Sequence, residues 1–135
     1  MKKEETKVAE KEVKENVIVR IKTFEDAMKE TGRPEVPDFS NLPEDLRDYF
    51  KAQYKIIVVV EALNEGWKAD WEDDDESKYY PYFYMSSGVF VFVDSAYYYS
   101  LASAGNGSRL CFKTRELARY AGEQFLEIWT AIIQK

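Results

Sequence analysis

The stretch "YYPYFYMSSGVFVFVDSAYYYS", residues 79–100, constrains this chain more than any other feature. Aromatic and β-branched residues suit a pleated, half-buried surface, and small or turn-forming residues divide the run into short pieces. It reads as strands near 79–85, 88–94 and 96–102, with "SSG" and "DS" as turns. "SAGNGS" follows as a loop and "RLCFK" as a last strand. Consecutive strands joined by short turns are antiparallel, so the expectation is a β-meander of three to four strands. Val89, Val91 and Val93 alternate with Phe90 and Phe92, which predicts a central strand covered on both faces or a second buried contact. The tyrosines of "YYPYFYM" fall on both parities, so some phenols must point away from whatever covers the sheet.

Helical signals flank this region. "VIVRI" (17–21) is a β-branched run suited to an edge strand. In "KTFEDAMKETG", Thr23 is placed to cap a helix, Glu25 and Asp26 favour its first turn, and Gly32 ends it. "RPEVPDFSNLP" (33–43), with three prolines, is a connector. From Pro43 to Gly66 a second helix is expected. Ile56–Val60 alone would argue strand, but Leu46, Phe50, Ile57 and Leu63 keep helical spacing and the segment is too long for a strand. Its β-branched middle then implies burial on nearly every side. Thr114 is placed to cap a closing helix whose stripe is Leu117, Tyr120, Ala121, Phe125, Ile128 and Ile132. The class is α+β: a meander packed against two or three helices, the C-terminal one lying across the sheet.

A chain of 135 residues forms one core. Residues 1–16, rich in Lys and Glu with few apolar positions, read as a charged, flexible tail ahead of a single domain over 17–135. Of the net charge of −6, residues 1–77 hold 13 Lys/Arg against 21 Asp/Glu (−8), and residues 78–135 hold 6 against 4 (+2). Phosphate backbones and anionic membranes require dense Lys/Arg, so neither is an obvious partner of the whole surface. One cysteine precludes an internal disulfide and suits a reducing compartment, and no apolar run reaches the length of a membrane span. Histidine is absent, which removes the usual general base and the commonest zinc ligand.

Motifs that carry chemistry are few. Asp73, Asp74, Asp75 and Glu76 lack the alternation and glycine of a calcium loop and read as a solvated loop. Cys111, alternating with Leu110 and Phe112 and without a histidine base, reads as a small buried residue. "GNGS" lacks the setting of a phosphate-binding loop. No catalytic residue, metal site or cofactor is expected, and the chain reads as non-enzymatic. Exposed tyrosines suit protein contacts, because they offer large area at little rotamer entropy. The same rings with Lys78, Arg109, Lys113, Arg115 and Arg119 would suit a single-stranded nucleic-acid binder, although no RNA-recognition core motif is present.

The succession "IKTFEDA", "LNEGWKADW", "KYYPYF" and "SRLCFKTRELARYAGEQF" resembles a group of small uncharacterised proteins of Bacteroides-type bacteria, their phages and prophages, over about residues 21–133. Asparagine and serine are usual in that group after the second tryptophan, so "EDDDES" departs from it. The resemblance implies a phage- or mobile-element-borne protein, cytoplasmic or virion-associated, and no reaction. Together these readings select Trp67, Trp71, Tyr79, Tyr80, Tyr82, Phe83, Arg109 and Lys113, with Pro81, as a binding surface for a protein partner or a second copy.

Overall fold

The structure, a computed structural model, describes residues 16–100 and 107–134. Most of the tail assigned to 1–16, and parts of the strand expected at 96–102 and of the "SAGNGS" loop, lie outside the described residues.

The run at 17–21 forms one helical turn, α1 (Val17–Arg20), and not an edge strand. Asn16 accepts a hydrogen bond from the Ile18 amide at 3.1 Å. Val17 and Ile21 are buried, and the Ile21 carbonyl accepts the Tyr120 hydroxyl at 2.5 Å. Contacts from far along the chain override the β preference of the run. Helix α2 (Phe24–Thr31) begins with a reciprocal cap. Thr23 Oγ1 accepts the Asp26 amide, while the Asp26 carboxylate accepts the Thr23 and Lys22 amides at 3.1 and 3.0 Å. These donors, the Lys22 amide foremost, hold the Asp26 carboxyl below its usual range. Gly32 ends the helix at φ 71°, where a side chain would be strained.

The connector leads to α3 (Glu44–Asn64), 21 residues and about 30 Å long. Its second half is the centre of the core: Ile56, Val58, Val59, Val60 and Leu63 are all buried. Its first half leaves Leu46, Tyr49 and Phe50 exposed, although Leu46 and Phe50 keep the same helical spacing. The helix stops where Glu65 and Gly66 turn left-handed.

Among the described residues the sheet has two strands and not the expected three to four, β1 (Lys78–Tyr84) and β2 (Val91–Tyr98), paired antiparallel around a short 3-10 turn at Ser86–Gly88. "DS" is not a turn: β2 runs through it, because the pairing jumps from Tyr82↔Asp94 to Phe83↔Phe92 and absorbs Val93 as a bulge. The bulge shifts the alternation by one, so Phe92 and Ser95 share the covered face with Pro81 and Phe83. "RLCFK" adds only a single bridge, in which Phe112 exchanges both backbone hydrogen bonds with Tyr79 at 3.1 and 2.7 Å. On its other side Asn64, buried at the end of α3, takes the place of a strand: its amide donates to the Cys111 carbonyl and accepts from the Lys113 amide, each at 3.0 Å. The segment is pinned without a third strand.

The closing helix is two helices. Thr114 caps α4 (Arg115–Gln124) by accepting the Leu117 amide at 3.1 Å, and α5 (Leu126–Ile133) restarts after Phe125 leaves helical geometry at ψ 32°. The Trp129 indole reaches back across the break to the Ala121 carbonyl at 3.1 Å. Helix α4 covers one face of the hairpin and packs with α5 against α3, and α2 packs against α3 as well. The protein is therefore α+β, with helices on one face of a two-stranded antiparallel sheet.

Candidate functional site

The residues selected from sequence separate into three settings. The first is the open face of the hairpin. Tyr80, Tyr82 and Tyr84 share one parity of β1, and their partners across the sheet are Ala96, Asp94 and Val91. Tyr84, Tyr82 and Val91 are 58, 43 and 41% exposed, and Met85, Val89 and Val93 beside them are exposed as well. The expected cover on both faces of 89–93 is absent: the valines face solvent, while Phe90 and Phe92 pack on Phe83 at 4.7 and 6.2 Å between ring centroids. Tyr80 stacks on Tyr98 at 4.8 Å, and burial first and the Tyr98 hydroxyl second push its phenol up to about 12. Phe83 lies on the opposite parity and packs inward against Trp129, 5.6 Å between ring centroids.

The second setting lies where α4 begins. Tyr79 packs against Tyr97, which in turn meets Tyr99, and the Arg115 guanidinium sits 6.0 Å from the Tyr79 ring. Tyr97 and Tyr99 are exposed; Tyr79 is half-buried and held by its bridge to Phe112. Lys113 is exposed beside this cluster, one residue past the bridge.

The third setting is a cleft of about 350 Å³ at the C-terminal end of α3, lined by both Trp67 and Arg109. Ile57, Val60 and Ala69 supply apolar lining; Arg33, Glu61 and Lys68 join Arg109 as its charged groups. Arg33 clasps Glu61 with two hydrogen bonds, 2.8 and 3.1 Å, made by Nε and Nη2. That clasp foremost, with Arg109 and Lys68 adding, holds the Glu61 carboxyl below its usual range. Trp71 stands beside the cleft: its indole N–H donates to Ser108 Oγ at 2.5 Å.

The acidic loop is more than a solvated run. Lys78 is fully buried beneath it, its ammonium donating to the Asp73 carbonyl at 2.9 Å, 3.6 Å from Glu76 and 5.1 Å from the Trp71 ring centroid. A buried cation requires such compensation, and the Glu76 carboxylate and the Asp73 backbone carbonyl provide it. Among the described residues no group of three His, Cys, Asp or Glu is placed to hold a metal ion. Cys111 is buried, and burial pushes its thiol up to about 11. Among the described residues no helix is long and apolar enough to cross a membrane. Sequence reasoning missed Arg33, Glu61 and Asn64 and grouped Lys78 with surface cations although it is buried, since a lone polar residue in a helix, connector or strand carries no local mark of the partner it meets.

No protein-family model, curated protein sequence or solved structure matches the chain.

Proposed function

We propose that this protein works without catalysis, by protein–protein contact through the open face of its hairpin. The carrying observation is the asymmetry of the two-stranded sheet: α4 covers one face, while Tyr82, Tyr84 and Val91 stand exposed on the other with Met85 and Val89 at its end. Apolar groups gathered on one side of a small sheet mark an association surface more often than scattered single residues do. Tyrosine at its centre supplies anchors with little entropy to lose. The occupant is a second copy or a protein of the host, and the sequence resemblance supports a phage or mobile-element setting, as a virion-associated or accessory factor.

A single-stranded nucleic acid has less to support it. The basic residues are dispersed: Arg119 lies 3.5 Å from Asp94, Arg109 sits at the cleft, and Asp74 beside the tyrosine cluster bonds Ser100. Size-exclusion chromatography with light scattering tests the leading reading. An oligomer, or a complex with a host protein, that is lost in Tyr84→Asp/Val91→Lys while circular dichroism is unchanged is the expected result. A monomer at all concentrations with no host partner overturns it, and salt-sensitive retention of single-stranded DNA in a filter assay would replace it with the nucleic-acid reading.

A further inference from the structure

From the cleft at the end of α3 we infer a binding site for a small organic anion, a carboxylate or phosphate carried on a flat apolar body. The site does not depend on the hairpin or on its partner. Three cations, Arg33, Lys68 and Arg109, converge on one carboxylate, Glu61, which leaves the cleft at +2 within a protein of net charge −6. Only Arg33 is matched by its clasp; Lys68 and Arg109 are exposed and, among the described residues, neither forms an ion pair. Both lie near enough to Glu61 to act on its carboxyl, so their charges reach the same space.

The remaining lining fits the rest of such a ligand. Val60 is buried and Ile57 half-buried in the α3 wall, and Trp67 adds a half-buried aromatic surface to the lining. Ser108 Oγ accepts the Trp71 indole N–H, which leaves its own O–H to donate. Arg33, fixed by Glu61 through Nε and Nη2, has no partner for Nη1 among the described residues. A volume of about 350 Å³ lies at the small end of the range that holds metabolite-sized molecules. Charge at the rim with an apolar wall behind it selects an amphiphilic anion over a free inorganic ion, which gains nothing from the wall, and over a neutral ring, which gains nothing from the rim.

The test uses the intact chain, 15N-labelled, with 1-naphthoate, 1-naphthyl phosphate and the uncharged 1-naphthamide as probes. Naphthoate is expected to shift the indole N–H of Trp67 and the Ser108 and Arg109 amides, with a Kd on the order of 1 mM for so small a probe. Naphthamide is expected to bind at least about tenfold more weakly, a loss of about 1.4 kcal/mol. Whichever of carboxylate and phosphate binds more tightly names the head group. Lys68→Glu/Arg109→Glu, both at exposed positions, should abolish the shifts with the rest of the spectrum unchanged. Glu61→Gln should strengthen binding, because it removes the one competing anion. Failure of both anions to shift the cleft, equal binding of naphthamide, or insensitivity to both variants overturns the inference.

Discussion

Gly122 is the position where the packing of helix on hairpin is most sharply testable. It sits buried in α4, facing β1 and β2, and a methyl group there would overlap the Phe92 ring and come within 2.9 Å of Pro81 Cβ. Two effects of Gly122→Ala oppose each other. Alanine in a helix interior is favoured over glycine by about 1 kcal/mol. Overpacking a close contact costs about 1–3 kcal/mol. Phe92 is half-buried and its ring can tilt, but the Pro81 ring is fixed within a strand, and carbon atoms rest at about 3.5–4.0 Å. Relief requires the hairpin to lift by more than half an ångström, which loosens the Phe83, Phe92 and Trp129 contacts together. The clash therefore wins, with a net loss of about 1–2 kcal/mol and a fall in Tm of about 4 °C per kcal/mol for a chain of this size. Urea unfolding followed by tryptophan fluorescence measures it. Glu123→Ala and Glu123→Gly, at the exposed neighbouring position, calibrate propensity alone, and Phe92→Leu in the Gly122→Ala background should recover part of the loss as a coupling between the two sites. If Gly122→Ala is as stable as the unaltered protein or more so, the close approach of α4 to the hairpin is refuted.

Asn64→Ala leaves the Cys111 carbonyl and the Lys113 amide without their partner, at about 1–3 kcal/mol each; hydrogen exchange at the Lys113 amide should accelerate together with the fall in Tm, and an unchanged exchange rate would contradict the strand-replacing role. Ser95→Ala should be neutral or stabilising by up to about 1 kcal/mol in urea, because the buried Ser95 hydroxyl has no hydrogen-bond partner among the described residues; a clear loss of stability would mean that the hydroxyl is satisfied. Cys111, buried with its thiol raised to about 11, should resist an aromatic disulfide reagent at pH 8 and react at once in denaturant; because its raised pKa keeps the thiol protonated in the folded state, native-state reactivity should grow only as pH climbs toward that value, and rapid labelling at pH 8 would refute its burial.

Signals that act over a few residues were legible in the chain itself. Thr23 with Asp26, Gly32 and Thr114 bound their helices as read, because a cap and the amides it satisfies are separated by two or three residues. The long helix with its buried β-branched middle, the antiparallel return of the aromatic stretch and the burial of Cys111 follow from periodicity and alternation. The extent of the sheet did not. Whether Asp94 and Ser95 turn the chain or continue a strand depends on a bulge opposite β1, and whether "RLCFK" pairs as a strand depends on a side chain 47 residues away. The break at Phe125 likewise follows from how α4 and α5 wrap α3 and the hairpin, since the apolar stripe runs on unbroken through it.

For the surfaces, composition and spacing alone dictated that the aromatic stretch would leave tyrosines uncovered, since rings on both parities of a short strand cannot all enter one core. Which rings those are, and that Arg33, Glu61, Lys68 and Arg109 share a cleft, was decided by tertiary structure alone. Alternation and capping are properties of neighbouring residues, whereas burial and convergent charge belong to segments that meet only when the chain closes on its core.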